Sequence, residues 1–234
     1  MDLNADLGEV EGDEALLDIV TSANVACGFH AGEPDRLRRV LARAAELGVA
    51  VGAHVSYRDR EGFGRRLIDV APAELADDVA LQVGALRELA VGPEQVRYVK
   101  PHGALYHACS TQPAQGDAVM AAVDLPILAG AGTPFLAALG TRGIAEGFVD
   151  RAYNEDATLV DRREPGAVLH DAARVVDQAV QLAVDGSVTT ITGKRLELSV
   201  QSLCVHGDTP GAAALAARVR DALTDAGVTL AAFE

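Results

Sequence analysis

Residues 22–54, SANVACGFHAGEPDRLRRVLARAAELGVAVGAH, contain the pattern that decides the fold of this chain. A short apolar run that ends at His30 is followed by an amphipathic segment and then by a second apolar run that ends at His54. The apolar residues of the middle segment recur at helical spacing, at Leu37, Val40, Leu41, Ala44 and Leu47. Pro34 stands near the first turn of that segment and Gly48 follows its end. The stretch therefore predicts strand, helix and strand, the repeating unit of a parallel sheet.

The same helical signature recurs over residues 71–89, 173–186 and 209–227. Candidate strands lie around these helices, in the order LNAD, IVTSANV, VAVGA, VRYV, PILAG, VTTI, QSLCV and VTLAAF. Seven or eight strands that alternate with helices in 234 residues favour a closed or nearly closed α/β barrel. A doubly wound open sheet is the alternative, because periodicity does not reveal whether a sheet closes. No linker-like tract divides the chain, so we expect a single domain over residues 1–234.

The composition argues against nucleic acid and membrane partners. Asp and Glu total 34 against 20 Lys and Arg, so the formal net charge is −14, which repels phosphate backbones and anionic lipids. Cys27, Cys109 and Cys204 form no CxxC pair, which favours a reducing compartment over a disulfide framework. The first residues lack a signal-peptide pattern, and no apolar run reaches the roughly 20 residues of a membrane helix. We therefore expect a soluble, cytoplasmic protein.

Polar side chains collect where the candidate strands end. Four histidines follow apolar runs, namely His30, His54, His102 and His206. Asp6 closes the first run, Asn4 lies two residues earlier on the same face of the strand, and Glu9 follows in the next loop. Because parallel strands end at one edge of a sheet or barrel, these side chains are predicted to form one ligand site.

Two loops add to this predicted site. VKPHGALYH contributes Lys100 and Tyr106 on either side of His102. VHGDTPG contributes Asp208 just before a helix-start signal. A helix that begins beside the site favours an anionic group such as a carboxylate or a phosphate.

A third loop, EGFVDRAYNEDATLVDRREPGAV, carries Asp150, Arg151, Tyr153 and Arg162. An arginine at this position would hold a substrate carboxylate through two parallel hydrogen bonds. A solvated connection between two elements is the alternative interpretation of this loop.

Established nucleotide and metal motifs are missing from the sequence. TITGKR resembles the end of a phosphate-binding loop, but Arg195 replaces the required Ser or Thr and Val188 replaces the first glycine. HExxH, HxH and HxxxH pairs do not occur. Histidines and carboxylates at separate strand ends would suit Zn²⁺ or Mn²⁺. A divalent metal is thus possible, but no protein-bound metal is predicted.

Six motifs occur in order along nearly the whole chain: DLNADLGE, SANVACGFHAGEP, GAHVSYRDREGFGRR, VKPHGALYH, FVDRAY and CVHGDTPG. Together they resemble the LamB/YcsF family. The resemblance implies an irregular seven-stranded β/α barrel, similar to the glycoside hydrolase/deacetylase group. It also implies the 5-oxoprolinase reaction, in which ATP-dependent hydrolysis opens the lactam of 5-oxo-L-proline to L-glutamate together with partner subunits B and C. Because no nucleotide motif is recognisable, ATP is expected to be used jointly with those partners.

This interpretation assigns roles to the predicted site. The catalytic candidates are Asp6, His30, His54, Lys100, His102, His206 and Asp208. The substrate-binding candidates are Asn4, Glu9, Asn24, Tyr106, Asp150, Arg151, Tyr153 and Arg162. Asp6 and His206 are the leading candidates for a general base, and Lys100 and His102 for stabilising negative charge on oxygen. Arg151 or Arg162 would bind the substrate carboxylate.

Two other functions remain open at this stage. One is a stand-alone metal-dependent amide hydrolase or carbohydrate deacetylase, which rests on fold analogy alone. The other is a non-catalytic protein that binds a lactam or an amino acid in the same site.

Overall fold

The computed structural model describes residues 1–206 and 211–233. Within these ranges seven parallel strands close into a barrel in the order β1-β2-β3-β4-β5-β6-β9. The barrel strands are β1 Asp2–Leu7, β2 Ser22–Ala26, β3 Ala50–Val55, β4 Val96–Pro101, β5 Ile127–Gly130, β6 Gly143–Phe148 and β9 Ser202–Val205. The strands β7 Ser187–Thr189 and β8 Arg195–Glu197 form a separate antiparallel hairpin. The predicted β/α barrel is confirmed, and the open sheet is excluded because β9 pairs with both β1 and β6.

Helices surround the barrel. Their bounds are α1 Pro34–Leu47, α2 Pro72–Leu89, α3 Gly103–Thr111, α4 Pro113–Ala122, α5 Pro134–Leu139, α6 Ala172–Val180 and α7 Ala212–Asp225. The apolar face predicted for α1 is buried at Leu37, Val40 and Leu41, whereas Leu47 in the last turn is exposed. In the described part of the chain, no helix combines the length and apolar character needed to cross a membrane.

Two of the candidate strands do not belong to the barrel, and one barrel strand was not predicted. VTTI forms β7 of the hairpin, and VTLAAF is an irregular tail whose Phe233 packs on Tyr98. The missed strand is β6, with the sequence GIAEGF. Its two glycines and its buried Glu146 hide the apolar pattern of a strand, because neither residue type favours strands on its own.

The barrel places polar side chains inside and apolar side chains outside. In β1, Leu3, Ala5 and Leu7 join the large apolar core with the helices, while the alternate residues Asn4 and Asp6 bond to side chains of other barrel strands. The amino-terminal end of the barrel is closed by a small apolar cluster of Tyr98, Leu128 and Ile144 with Phe233. The polar interior is therefore accessible from the carboxyl end of the strands.

Candidate active site

A cavity of about 780 Å³ opens at the carboxyl end of the barrel, within the size range of small-molecule sites. The predicted site residues that line it are Asp6, Glu9, His54, Lys100, His102, Tyr106, Arg151, Arg162 and His206. They come from strands and loops far apart in sequence, and they meet because all seven parallel strands end at this face.

The floor of the cavity is organised by the ammonium group of Lys100, which is buried. Its Nζ lies 3.0 Å from Oδ1 of Asp6, 2.9 Å from Oε1 of Glu146 and 3.2 Å from Sγ of Cys204. Asp6 also accepts a hydrogen bond of 2.9 Å from Nδ2 of Asn24. A charge away from water is stable only when it is paired and hydrogen-bonded, and this network meets both conditions.

The charges of this network define what its members can do chemically. Burial by itself would lower the pKa of Lys100, but the neighbouring acidic groups, Asp6 foremost, raise it well above its ordinary value. Burial would raise the pKa of Asp6, yet His54 and Lys100 hold it well below its ordinary value. Lys100 is thus a permanent donor toward negative charge. Asp6 is a weak base, because a carboxylate with so low a pKa holds a proton poorly.

His206 pairs with Asp150 immediately after β9. Its Nδ1 lies 2.8 and 2.9 Å from the two carboxylate oxygens of Asp150, and its ring stacks on Phe148 with centroids 5.5 Å apart. Burial would raise the pKa of Asp150, but His206 brings it below its ordinary value, so Asp150 remains a carboxylate. A carboxylate that holds Nδ1–H leaves Nε2 as the basic nitrogen. His206 therefore fits the role of general base better than Asp6.

Arg151 brings a buried positive charge to the cavity wall. Its guanidinium donates to the backbone oxygens of Ala167 at 3.3 Å and Val160 at 2.6 Å. Burial, reinforced by the nearby charge of Arg162, lowers the pKa of Arg151 to about 10, so it stays protonated at neutral pH. Burial and the same two arginines lower the pKa of His107 on the cavity lining. Guanidinium groups crowded in one wall favour an anionic ligand.

A second group of buried side chains lies beside Asp6. Nε2 of His54 is 2.9 Å from Nδ1 of His102 and 3.4 Å from Oδ2 of Asp6. Oε1 of Glu9 lies 3.4 Å from Nδ1 of His102, 3.6 Å from Nε2 of His54 and 2.9 Å from Nε2 of His30. Burial, the largest cause, lowers the pKa of His30 and of His102 well below the ordinary value, which favours their neutral forms. Neutral imidazoles and a carboxylate are donor types that bind metal ions.

Four predicted residues lie behind the cavity lining. Nδ2 of Asn24 donates to Oδ1 of Asn4 at 2.7 Å, and Nδ2 of Asn4 donates to Oε1 of Glu146 at 3.1 Å. His30 and Asp150 each hydrogen-bond to a side chain that lines the cavity. These four residues hold lining side chains in position from the protein side.

Tyr153, predicted to bind the substrate, does not line this cavity. The hydroxyl of Tyr153 accepts a hydrogen bond of 2.6 Å from the backbone N–H of Phe148, and Tyr153 lines a smaller neighbouring cavity. Its phenol thus turns back onto the end of β6 to satisfy a backbone donor. Asp208 lies outside the described residues.

Glu146 is the site residue that sequence reasoning missed. It accepts hydrogen bonds from Asn4 at 3.1 Å and from Tyr106 at 2.9 Å, and it pairs with Lys100. The available signal was a single glutamate within the otherwise uncharged run GIAEGFV, where a buried carboxylate requires a partner. The partner could not be named, because it lies on another strand.

Comparison with known proteins agrees with this architecture. The sequence model of the LamB/YcsF family matches residues 1–234. The A subunit of a 5-oxoprolinase from Mycolicibacterium paratuberculosis is 55% identical, with 100% of this chain and 98% of that protein covered. The crystal structure of a lactam utilization protein from Thermus thermophilus is similar with a TM-score of 0.92 and 36% identity, covering 100% of this chain and 99% of the other.

A more distant likeness concerns the fold alone. A family 4 carbohydrate esterase from Streptomyces lividans has a TM-score of 0.55 at 11% identity, with 100% and 91% of the two chains covered. This likeness shows that the esterase shares the barrel fold. The match of the family model over the full length and the high identity to its members show that the chain belongs to the LamB/YcsF family.

Proposed function

We propose that this chain acts as the A subunit of an ATP-dependent 5-oxoprolinase, which opens the lactam of 5-oxo-L-proline to L-glutamate together with partner subunits B and C. The observation that carries the proposal is the cavity, which combines the buried ammonium of Lys100, the guanidinium of Arg151 and the His206–Asp150 pair. The names of the two full-length relatives, a 5-oxoprolinase component and a lactam utilization protein, support the same substrate class.

The substrate has two polar ends that match these groups. Its carboxylate would be held by Arg151 and Arg162, whose crowded positive charges have an anion as their natural partner. Its ring carbonyl would then accept a hydrogen bond from Lys100, whose raised pKa keeps it protonated throughout the reaction.

The reaction needs activation, because amide resonance makes the ring carbonyl a poor electrophile. In our proposal ATP transfers a phosphoryl group to the lactam oxygen. Water, deprotonated by His206, attacks the ring carbon, the C–N bond breaks and the nitrogen takes up a proton. A second water molecule releases inorganic phosphate from the resulting acyl phosphate and leaves glutamate. Lys100 stabilises the negative charge on oxygen during these steps.

In this proposal ATP is used by the whole complex rather than by this chain alone. The sequence lacks a phosphate-binding loop, as Arg195 and Val188 stand where that motif requires other residues. The cavity is larger than a single lactam needs, so it leaves room for a transferred phosphoryl group.

The test measures glutamate released from 5-oxo-L-proline, with and without ATP, by this chain alone and by a mixture with subunits B and C. We expect release only in the complete mixture, accompanied by ATP consumption. Release by this chain alone without ATP would overturn the proposal in favour of a stand-alone amide hydrolase. Failure of the complete mixture with ATP to release glutamate would also overturn it.

A further inference from the structure

Four buried side chains at one edge of the cavity are not explained by the Lys100 network or by the His206–Asp150 pair. They are Glu9, His30, His54 and His102. One ligand atom from each lies within 4.8 Å of the ligand atoms of the other three. The four residues lie at or just after the ends of β1, β2, β3 and β4, and the parallel pairing of these neighbouring strands brings them together.

The hydrogen bonds of the two central imidazoles determine where their protons lie. Nδ1 of His54 faces the backbone oxygen of Lys100 at 3.1 Å, and Nε2 of His102 faces the backbone oxygen of Phe63 at 2.8 Å. A carbonyl oxygen only accepts, so each of these nitrogens carries a hydrogen. The remaining nitrogens, Nε2 of His54 and Nδ1 of His102, face each other at 2.9 Å, so at most one hydrogen lies between them. When that proton leaves, as it must for metal binding, both nitrogens present lone pairs to the same point.

A carboxylate oxygen approaches the same point. Oε1 of Glu9 lies 3.4 Å from Nδ1 of His102 and 3.6 Å from Nε2 of His54. Three acceptor atoms thus face one another, and one shared proton would bridge a single pair of them. An ion with bonds of about 2.0–2.2 Å to all three would set its ligand atoms roughly 3 to 3.6 Å apart, which matches the observed separations.

The ring planes decide which histidines can bind one ion. The rings of His54 and His102 are nearly perpendicular, at 88°, so an ion can lie in both ring planes at once. The rings of His30 and His102 are stacked with an interplanar angle of 8° and centroids 3.9 Å apart, so no single ion lies in both of those planes. His30 instead contacts Oε1 of Glu9 at 2.9 Å and Oγ of Ser56 at 3.0 Å, which orients the carboxylate.

We propose that Glu9 Oε1, His54 Nε2 and His102 Nδ1 bind one divalent transition-metal ion of the zinc class. Two neutral imidazoles and one carboxylate are donors that such ions accept. Each imidazole gives its other N–H to a backbone oxygen, the usual support of metal-binding histidines. All three ligands line the cavity, and this leaves the fourth position of the ion open to a ligand, as in catalytic rather than structural zinc sites.

The test measures metal binding by the chain itself and needs no enzymatic activity. The purified full chain is stripped with a chelator and titrated with Zn²⁺ by calorimetry, and bound metal is counted by elemental analysis. We expect one ion per chain. Glu9→Gln and His102→Gln should each weaken binding by at least about tenfold, because even the outer hydrogen-bond partners of metal ligands contribute that much. His170→Gln, at an exposed histidine away from the cavity, is the matched control and should bind like the parent chain.

Thermal melts establish that each variant is folded before it is titrated. Should Glu9→Gln fail to fold, His102→Gln and His54→Gln carry the test. Absence of stoichiometric binding by the folded parent chain would overturn the proposal and leave a shared proton between His54 and His102. Equal binding by the parent and the folded ligand variants would also overturn it, because the ion would then sit elsewhere on the protein.

Discussion

At the scale of single residues, Lys100 lies where parallel barrels ordinarily pack branched apolar side chains. Its ammonium is held between the carboxylates of Asp6 and Glu146, both of them buried. Removing one partner of a buried ion pair leaves the other charge without compensation, which is far more damaging than removing both. The barrel interior is therefore stable only as a complete network.

The first prediction follows from this dependence. Lys100→Met should lower the free energy of unfolding by about 3–5 kcal/mol, because Asp6 and Glu146 lose their cation. Denaturant unfolding provides the measurement. The double variant Lys100→Met/Glu146→Gln removes one excess charge and should recover part of the loss. Equal stability of the single and double variants would contradict the assignment of the network as the cause.

A second residue-scale prediction concerns Gly52. A Cβ placed there would lie within the van der Waals envelope of the Tyr98 ring, whose hydroxyl donates to Asn24 at 2.7 Å inside the barrel. Gly52→Ala should therefore destabilise the protein by about 1–3 kcal/mol, the range for overpacked cores. Tyr98→Leu removes most of the ring. The double variant should therefore lose less free energy of unfolding, measured in urea, than the sum of the losses of the two single variants.

The third prediction concerns catalysis and rests on the proposed function. His206→Ala should lower glutamate release by the complete subunit mixture by about 10²–10⁴-fold, the usual contribution of a general base. Asp150→Asn keeps the shape but removes the charge that holds Nδ1–H, so it should act in the same direction. Only variants whose thermal melting curves match that of the parent protein are compared. If glutamate release falls by less than tenfold in both variants, another group must act as the general base.

At the scale of elements, α2 shows how a helix divides its two faces. Leu75, Val79, Val83 and Leu86 are buried against the barrel, as their spacing predicts. Gly84 is exposed on the opposite face, and a Cβ there would contact nothing within 4 Å. A helix with glycine at an interior position is less stable than the same helix with alanine, because glycine loses more backbone freedom on folding.

The fourth prediction uses this glycine. Gly84→Ala should raise the free energy of unfolding by roughly 0.5–1 kcal/mol, with the gain seen as a higher melting temperature. Gly52→Ala is its natural counterpart, since the same chemical change in the barrel is expected to have the opposite sign. A loss of stability in Gly84→Ala would show that this helix face is covered by another surface.

The elements also show where local patterns suffice. α1 and α2 were predicted at nearly their observed bounds, because helix periodicity and end signals are encoded within one segment. β6 and the VTTI segment were misassigned for the converse reason. Whether a short apolar run joins the barrel or an outlying hairpin depends on the partners it finds, and those are distant in sequence.

At the scale of the whole molecule, Met1 and residues 231–233 lie together at the amino-terminal end of the barrel. The backbone N–H of Ala231 donates to the backbone oxygen of Met1 at 3.0 Å, and Phe233 packs edge-on against Tyr98 with centroids 4.8 Å apart. Phe233 also packs against Leu128 and Ile144. The tail thus closes the end of the barrel opposite the cavity.

The fifth prediction tests this closure. Phe233→Ala should destabilise the protein by about 1–3 kcal/mol, less than for a fully buried phenylalanine because this ring is only partly covered. Val91→Ala, at an exposed position, is the control and should change stability by less than about 0.5 kcal/mol. An equal response of the two variants in denaturant unfolding would contradict a closing role for the tail.

Much of the site was accessible from the sequence because strand ends of a parallel barrel meet at one face. His54, Lys100 and His206 were expected together on that ground, and they line one cavity. Glu146 and the pairing of Asp150 with His206 were not predicted. Glu146 contacts Asn4, which is 142 positions away in the sequence, and Asp150 contacts His206, which is 56 positions away.

The amino-acid sequence by itself determined the β/α class, the faces of the main helices, the acidic charge and the kinds of polar side chain at the strand ends. These properties are local or additive, so each can be assessed without knowing the contacts. The tertiary structure alone decided which strands close the barrel, that Lys100 lies between two carboxylates, and that His54 and His102 face Glu9. Such pairings arise only when folding brings distant segments within a few ångströms, where burial makes each polar group depend on its partner.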